Sequence, residues 1–545
     1  MSFPLNRRGF LSFLPGSAAL AQQRGAETRA VRNVTAGAPR FELDELTIDD
    51  LSRGMASGKY TARRITELYL ARIEATNRRG PMLRAVIETN PDAVAIADKL
   101  DAERKQGKVR GPMHGIPVLL KANIGTADKT HTSAGSLALA DWSPPKDAFL
   151  AALLRDAGAV LLGKANLSEW AGARGVGRIG GWSGVGGQTR NPYVLDRSPQ
   201  GSSSGSGSAV AANLCAVAVG TDTGGSITYP AAVMGIVGLR PTLGLVSRTG
   251  IIPLSLTRDT AGPMARTVRD VAILLGAMAG IDPDDPITAP NREPPAADYT
   301  TSLKADGLRG ARLVVAREFF GGHPGSDKVI EDAMAVLREQ GAELIDQADG
   351  LKATPAFEAE SRFVSNHDNP AALNRYLSQL PAHFPVRSLD QLIDFNEKNS
   401  DRELKFWGQS SLIAAAKAAK GPAVSEERYL EARETCWRLA REQGIDAILK
   451  KHRADAIIAP SLTPAFVTDF VMGDGRTVAC TLPACDAGYP HLNVPAGFVH
   501  ELPVSLSFFG TAWSEPTLLR LGYAFEQATK ARRKPRFLPM LSFPV

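Results

Sequence analysis

Two serines and a lysine have the types and the surroundings needed for a hydrolytic site that uses no histidine. Residues 201–226 read GSSSGSGSAVAANLCAVAVGTDTGGS, a Ser/Gly loop followed by a second glycine-rich turn that ends at Ser226. Upstream, the apolar run 116–120 leads into Lys121. A serine hydroxyl is a weak nucleophile at neutral pH, and it needs a nearby base and donors for the charge that develops on a carbonyl oxygen. These segments offer a candidate for each role.

Lys121 can act as a base only in its neutral form. Its unperturbed pKa of about 10.4 means that roughly 4 to 5 kcal/mol must come from burial and neighbouring groups to free the amine near pH 7. The apolar residues before it are the expected source of that burial.

The backbone around Ser226 is the expected site of the oxyanion donors. Two glycines permit tight or left-handed turns that aim successive N–H groups at one point. The predicted donors are the main-chain amides of Thr223, Gly224, Gly225 and Ser226.

Several further segments carry a family resemblance. They read HGIPVLLK (114–121), GTDTGGSI (220–227), GIVGLRPT (235–242), DTAGPM (259–264), GYP (488–490) and NVPAG (493–497). On these segments the chain resembles the amidase signature family, from about residue 45 to the C-terminus. The resemblance implies that Ser226 is the nucleophile, Ser202 the bridging serine and Lys121 the base. It also implies a cis peptide bond between Gly201 and Ser202, with Gly201, Ser203 and Asp222 as supporting residues.

The same resemblance indicates an activity. The segments RNPY (190–193), GIIPLS (250–255) and FGTAWSEP (509–516) resemble the bacterial peptide amidases, which remove ammonia from C-terminal peptide amides. An amidohydrolase that forms an acyl-enzyme and needs no cofactor is therefore expected. Two alternatives stay open: a broad acylamidase or esterase acting on aryl, fatty or xenobiotic amides or carbamates, and the ammonia-releasing subunit of a tRNA-dependent amidotransferase. Thr228 stands where many members carry arginine.

A different serine also fits a hydrolase motif. Residues 201–205 match G-x-S-x-G centred on Ser203, the nucleophile elbow of α/β-hydrolases. That motif requires a strand immediately before it, whereas residues 191–199 are polar and contain two prolines. The elbow is the less favoured interpretation.

Alternating apolar strands and amphipathic helices predict an α/β/α sandwich, and the resemblance adds a large mixed twisted sheet with an inserted, mainly helical region. Expected strands lie at 117–120, 160–162, 216–219 and 457–459, and expected helices at 148–156, 267–279 and 516–528. The predicted amidase domain spans 45–545, with a catalytic core at about 110–280 and closing strands and helix at about 455–530. A Pro- and acid-rich linker at 282–295 precedes the inserted region, about 310–450, which we expect to wall the substrate pocket.

Composition agrees with a large enzyme and gives no indication of nucleic-acid binding. The 545 residues are 44% hydrophobic and 22% charged, and the formal charge of +6 includes no basic tract. The cysteines lack C-x-x-C spacing and the histidines are scattered, so no metal site is predicted. Cys480 and Cys485 are near enough to form a disulfide. His114 is expected to shape the turn before Lys121, and His491 either to line the pocket or to cap a loop.

The first residues predict export. NRRGFL (6–11) resembles a twin-arginine signal, and the small-residue run 17–21 follows a short apolar stretch. Cleavage after Ala21 would release a periplasmic or secreted enzyme, with 22–44 as a linker, and a cytoplasmic location is the alternative. No later segment is apolar over some 18 residues, so no membrane anchor is expected. The oligomeric state stays open.

Overall fold

A computed structural model describes residues 40–289, 298–347, 350–421 and 424–542. The described strands, in chain order, are β1 (Val86–Thr89), β2 (Pro117–Lys121), β3 (Val160–Ala165), β4 (Trp182–Ser183), β5 (Gly187–Gln188), β6 (Val217–Asp222), β7 (Val237–Arg240), β8 (Thr260–Ala265), β9 (Arg312–Ala316), β10 (Glu343–Gln347), β11 (Ala456–Pro460), β12 (His491–Val499) and β13 (Leu502–Phe509).

Eleven of these strands form one mixed sheet in the order β1-β3-β2-β6-β8-β7-β12-β13-β11-β9-β10. The neighbours β3, β2 and β6 run parallel, as do β11, β9 and β10, while the centre from β6 to β13 is antiparallel. Strands β2, β3 and β6 are buried along their whole length. Their nearly continuous apolar sequence is typical of strands that are covered on both faces.

The described helices pack around this sheet. In chain order they are α1 (Ile48–Ala56), α2 (Ala62–Ile73), α3 (Ala93–Lys105), α4 (Phe149–Asp156), α5 (Ser204–Ala211), α6 (Thr228–Val233), α7 (Val268–Met278), α8 (Pro324–Glu339), α9 (Pro355–Ser378), α10 (Leu389–Lys398), α11 (Ser400–Glu403), α12 (Ser410–Ala419), α13 (Glu426–Ala440), α14 (Asp446–His452), α15 (Leu482–Ala487) and α16 (Glu515–Thr529).

The Ser/Gly-rich segment is a buried helix. All eight residues of α5 are buried, and the helix packs against β2, β3, β6 and β8. A Cβ atom at Gly205 would lie 2.3 Å from the carbonyl oxygen of Ala85, so only glycine allows this approach. The run of small residues therefore brings the loop before α5 down onto the sheet, beside the end of β2.

The predicted fold class is confirmed: the chain forms an α/β structure around a large mixed sheet. The expected strands at 117–120, 160–162, 216–219 and 457–459 are β2, β3, β6 and β11, and the expected helices at 148–156, 267–279 and 516–528 are α4, α7 and α16. Within the described residues, no helix combines the length and the apolar character needed to cross a membrane.

The region from 310 to 450 begins with β9 and α8 and continues with helices, so it is mainly helical as expected. One element was missed, because β10 follows α8 and adds an edge strand parallel to β9. Its sequence, Glu343–Gln347, is half polar and gives little apolar signal. The expected linker at 282–295 contains a short 3₁₀ turn at Pro286–Thr288, and its residues from 290 onward lie outside the described part of the chain.

Candidate active site

Lys121 ends β2 at a fully buried position. Its Nζ lies 2.7 Å from Ser202 Oγ, 2.8 Å from Thr221 Oγ1 and 3.3 Å from the Thr221 carbonyl oxygen. Burial lowers the pKa of Lys121 to about 7, although the charges of Asp222 and Asp259 oppose that shift. A substantial fraction of the lysine is therefore neutral at neutral pH, as a base must be.

Ser202 lies on the loop before α5, and the Gly201–Ser202 peptide bond is cis. A Cβ at Gly201 would lie 2.2 Å from Ser168 Oγ, so a larger residue would force the Ser168 side chain away from the Gly181 amide, from which it accepts at 2.9 Å. The amide of Ser203 donates to the carbonyl oxygen of Ser226 at 3.1 Å. The loop that carries Ser202 is thus joined directly to the turn that carries Ser226.

Ser203 itself is turned into the protein. Its Oγ donates to the Thr221 carbonyl oxygen at 3.0 Å and accepts from the Thr221 amide at 3.2 Å, and the residue is fully buried. Residues 191–199, all of them described, contain isolated bridges but no strand before the loop. The nucleophile-elbow interpretation therefore lacks both its strand and an accessible hydroxyl.

Asp222 fixes the turn on either side of Ser226. Its carboxylate accepts from the Gly225 amide at 2.9 Å and the Ile227 amide at 2.7 Å. Arg240 donates to the same group at 2.8 Å. Burial alone would raise the pKa of Asp222, but Arg240 and the two amides outweigh it, so the pKa lies below its usual value. An ionised, buried carboxylate holds the turn in place.

This clamp narrows the predicted set of oxyanion donors. The amide of Gly225, one of the four predicted donors, gives its hydrogen to Asp222 instead. The amides of Thr223, Gly224 and Ser226 remain as candidate donors. Gly225 has a φ of +97°, which favours glycine at this point of the turn.

Ser226 opens into a cavity of about 430 Å³, together with Thr223 and Gly224. The other walls come from residues 170–173, from residues 253–255 with Arg258, and from helices α9, α10 and α12. The inserted helical region therefore forms a wall of the pocket, as the sequence predicts.

Asp259 connects the Ser226 turn to this wall. Thr223 Oγ1 donates to Asp259 Oδ1 at 2.6 Å. The other carboxylate oxygen accepts from the amides of Leu254 and Ser255 at 2.7 and 2.8 Å. One half-buried carboxylate therefore sets the spacing between the candidate oxyanion donors and one side of the pocket.

Helix α9 is tied to the same wall. Thr257 Oγ1 donates to Asp368 Oδ2 at 3.1 Å, and Tyr429 of α13 donates to Asp368 Oδ1 at 2.6 Å. Arg258 donates to Ser361 Oγ at 2.5 Å. These bonds place the pocket-facing side of α9 relative to the core.

A buried charged cluster supports the wall at 170–173. Arg174 Nη1 lies 2.8 Å from Glu169 Oε1 and 3.6 Å from Glu403 Oε2, and all three side chains are fully buried. Burial and the neighbouring Glu403 raise the pKa of Glu169 well above its usual value. Trp170 and Ala171, which lie between Glu169 and Arg174 in the sequence, adopt the left-handed conformation, with φ of 50° and 54°. Strained backbone of this kind persists where its surroundings hold it, often beside a functional site.

A second cavity of about 330 Å³ adjoins the first. The two share wall residues Ala171, Thr223, Pro253, Leu254 and Ser255. The second cavity also reaches Asn123 and Thr221, and Asn123 Nδ2 donates to Thr221 Oγ1 at 3.0 Å. The polar groups around Lys121 can therefore be approached from a second side.

His114 and His491, the two histidines with an expected role, line neither cavity. His114 Nε2 is 3.0 Å from the Leu100 carbonyl oxygen, and His114 lies in the turn before β2 as expected. His491 lies within β12, where its Nε2 is 2.6 Å from Ser507 Oγ and burial lowers its pKa to about 3. It neither lines the pocket nor caps a loop, so both expectations for His491 were wrong.

The remaining candidates have structural roles. All four cysteines are free and buried, so Cys480 and Cys485 form no disulfide. Thr228 Oγ1 lies 2.8 Å from Thr481 Oγ1, a neutral contact between two buried hydroxyl groups. In the described part of the chain, no group of three or more His, Cys, Asp or Glu side chains is placed to hold a metal ion.

Four polar residues around the site were not predicted from the sequence, and they are Asn123, Thr221, Arg240 and Asp259. Each lies in or beside a segment that carries the family resemblance. Their roles depend on pairings between distant segments, such as Arg240 with Asp222, and a single sequence does not show such pairings.

A buried lysine contacts one serine, and a second serine lines the neighbouring cavity. This arrangement indicates a hydrolytic enzyme, and a family model identifies its class. The model described as Amidase matches residues 64–519. The chain belongs to this family and is an enzyme that hydrolyses amide C–N bonds.

The chain is similar to the following three proteins. The solved structure of native peptide amidase from Stenotrophomonas maltophilia is 47% identical, with a TM-score of 0.85, over 91% of this chain and 100% of that one. A probable amidase of Arabidopsis thaliana is 38% identical over 91% of this chain and 93% of its own. A glutamyl-tRNA(Gln) amidotransferase subunit of Chloroflexus aurantiacus is 36% identical over 91% of this chain and 99% of its own.

Proposed function

We propose that this enzyme removes ammonia from C-terminal peptide amides through an acyl-enzyme at Ser226, with Lys121 as the base and Ser202 as the proton relay. The observation that carries the proposal is the buried Lys121, 2.7 Å from Ser202 on the loop that is bonded to the Ser226 turn. The serine that opens into the pocket is the natural nucleophile of such a set.

The hydrogen bonds of Lys121 favour a proton transfer in one direction. A neutral amine has two N–H groups and one lone pair, and Thr221 offers two acceptors, at 2.8 and 3.3 Å. With both N–H groups donated to Thr221, the lone pair faces Ser202. Ser202 then gives its proton to Lys121 and takes the proton of Ser226 as the Ser226 oxygen attacks the substrate carbonyl.

The negative charge of the tetrahedral intermediate falls on the former carbonyl oxygen. Amides of Thr223, Gly224 and Ser226 are the proposed donors to that oxygen. As the C–N bond breaks, the protonated Lys121 returns its proton through Ser202 to the leaving nitrogen, which departs as ammonia. Water then attacks the acyl ester with the same relay, and Ser226 is restored as a hydroxyl.

The peptide-amide substrate is supported by the 47% identity with the Stenotrophomonas enzyme over that enzyme's whole length. A panel of peptide amides, anilides and carbamates, with ammonia and amine release measured separately, tests it. We expect peptide amides to give the highest kcat/KM and to release ammonia. Preferred cleavage of anilides or carbamates would instead support a broad acylamidase.

The proposed nucleophile is tested by covalent labelling. A fluorophosphonate should modify Ser226, which peptide mass spectrometry would locate, and Ser226→Ala should abolish both labelling and turnover. Labelling of Ser203 or Ser202, or near-normal turnover by Ser226→Ala, would refute the assignment.

A second candidate function follows from the 36% identity with the Chloroflexus amidotransferase protein. In that case the chain would supply ammonia inside a complex with a tRNA-binding partner. Co-purification of the natively expressed protein with such a partner would favour this candidate. Full hydrolytic activity of the isolated chain on peptide amides would favour the first.

We also propose that residues 6–11 direct export through the twin-arginine route. This segment lies outside the described residues, and the proposal depends on the pair Arg7 and Arg8. Replacing both arginines with lysine should shift the enzyme from the periplasm to the cytoplasm, as measured by fractionation. An unchanged distribution would contradict the proposal.

A further inference from the structure

Helix α9 presents an unusual pair of hydrogen-bond acceptors at the pocket. Asn369 lines the cavity that Ser226 opens into. Its Oδ1 atom is buried and has no hydrogen-bond partner among the described residues. An unpaired buried acceptor is costly unless something outside the chain pairs with it.

The same turn of the helix has an open backbone position. Pro370 lies inside α9 and has no N–H group. The carbonyl oxygen of Asn366, four residues earlier, therefore lacks its usual helical hydrogen bond. Asn366 and Pro370 both line the cavity, beside Asn369. One turn of α9 thus brings to the pocket the unpaired Asn369 Oδ1 and a carbonyl oxygen, that of Asn366, to which residue 370 cannot donate.

These acceptors are held in place by bonds on a neighbouring residue. Asp368 accepts from Thr257 on the core side and from Tyr429 on α13. Asp368 is 1% exposed, so these bonds are shielded from water. The acceptor turn is therefore fixed relative to the segment that Asp259 ties to the Ser226 turn.

We propose that this turn of α9 binds an N–H group of the substrate, and that it selects acyl groups carrying an N–H on the carbon next to the scissile carboxamide. This inference rests on the proposed function and names the substrate feature that the pocket recognises. Carboxamide and carbonyl oxygens accept and do not donate, so they pair with a peptide N–H and leave an ester oxygen unpaired. A peptide amide has such an N–H at each residue, whereas a fatty amide has none.

The test uses two substrates that differ in this one group. They are N-acetyl-phenylalaninamide and O-acetyl-phenyllactamide, in which an ester oxygen replaces the N–H. For the wild-type enzyme we expect kcat/KM for the first to exceed that for the second by about tenfold or more, since an unpaired buried acceptor costs on the order of 1–3 kcal/mol. Because both rates come from the same sample, their ratio is independent of the folded fraction.

Variants assign the discrimination to α9. Asn369→Ala should reduce the ratio by about five- to tenfold, mainly by slowing the N–H substrate, while Asn369→Asp keeps an acceptor oxygen and should retain discrimination. Pro370→Ala supplies the missing N–H to the Asn366 carbonyl and should also reduce the ratio. Arg362→Ala, at an exposed position of the same helix outside both cavities, is the matched control and should match the wild type.

An equal ratio in the wild type and in Asn369→Ala would overturn the inference and mean that only water pairs with this oxygen. That result would leave the proposed function intact if the wild type still releases ammonia from peptide amides. If the wild type releases no ammonia from either compound, the proposed function fails. In that case the ratio of kcat/KM is measured with the ethyl esters of the same two acyl groups, and these values test the role of α9.

Discussion

Thr223 and Asp259 are joined by a 2.6 Å hydrogen bond that crosses from the Ser226 turn to the wall of the pocket. Asp259 in turn holds the amides of Leu254 and Ser255, which line the same cavity. The carboxylate is half-buried, and desolvation raises its pKa even though several donors surround it. Side chains at the site and at its wall therefore cannot move independently.

We expect Thr223→Val to weaken both stability and catalysis. Valine has nearly the shape of threonine but leaves Asp259 without one of its donors, which should lower the free energy of unfolding by about 1–3 kcal/mol. Because the Thr223 amide is a proposed oxyanion donor, the release of the turn should lower kcat more than it raises KM. Chemical denaturation and steady-state kinetics measure the two effects. Thr223→Ser retains the hydroxyl and should stay near the wild type, and equal losses in both variants would contradict this account.

The activity should depend on the protonation of Lys121. Its pKa is lowered to about 7 by burial, and the proposed base works only when neutral. Below that pH the amine carries a proton, so kcat/KM should fall about tenfold per pH unit, and above it the rate should level off. A profile of kcat/KM from about pH 5 to 9 measures this acidic limb, the fall in rate below about pH 7. Lys121→Met should be inactive at every pH.

Lys164 is a matched control for that prediction. It is also fully buried, burial lowers its pKa to about 7, and it lies on β3 opposite Leu120. Its Nζ contacts the Ile124 carbonyl oxygen and Thr132 Oγ1 rather than a serine. Lys164→Met should lose stability but keep the acidic limb near pH 7. If the fall of kcat/KM at acidic pH disappeared in Lys164→Met, the titrating group would be Lys164 and not Lys121.

The central part of the site was predictable because its signals are local. Lys121 follows an apolar run, and the glycines before Ser226 mark a tight turn, so the burial of the lysine and the turn follow from the order of residue types, whereas the catalytic roles expected for Lys121 and Ser226 came from the family resemblance. The long-range partners were not predictable in this way. The amide of Gly225 was predicted to be an oxyanion donor, but it donates to Asp222, and the order of residue types does not show that the turn folds back onto this carboxylate.

The α9 wall shows the same limit at a larger scale. The sequence predicts helices in the inserted region, and the helices are there. Which face of α9 meets the pocket depends on contacts such as Thr257 with Asp368, which are 111 residues apart. The periodicity of one helix does not specify such a partner, so the position of Asn369 at the pocket came only from the structure.

The cluster of Glu169, Glu403 and Arg174 should make stability depend on pH. The pKa of Glu169 is raised by burial and by Glu403 above its usual value of 4.5. A raised pKa in the folded state means that the contribution of Glu169 is fully present below about pH 4.5 and is lost as the pH rises through the folded value. Glu169→Gln cannot ionise, so its melting temperature should fall less than that of the wild type as the pH rises from about 4.5. Parallel curves for the two proteins would show that Glu169 does not titrate in this way.

Arg240 should be essential to stability because it neutralises Asp222 where neither group reaches water. Both side chains are fully buried, and their ion pair measures 2.8 Å. Arg240→Met would leave an uncompensated charge inside the protein, which typically costs about 3–5 kcal/mol. Kinetics should show a large loss of kcat as well, since Asp222 clamps the turn around Ser226.

The control for Arg240 is an ion pair on the surface. Lys420 and Asp390 lie 2.8 Å apart with side chains 65% and 54% exposed, and such pairs contribute about 0–1 kcal/mol. Lys420→Met should therefore unfold at nearly the wild-type denaturant concentration and keep full activity. If Arg240→Met were as stable as Lys420→Met, Asp222 would have to be protonated in the folded enzyme, and its role as an ionised clamp would be refuted.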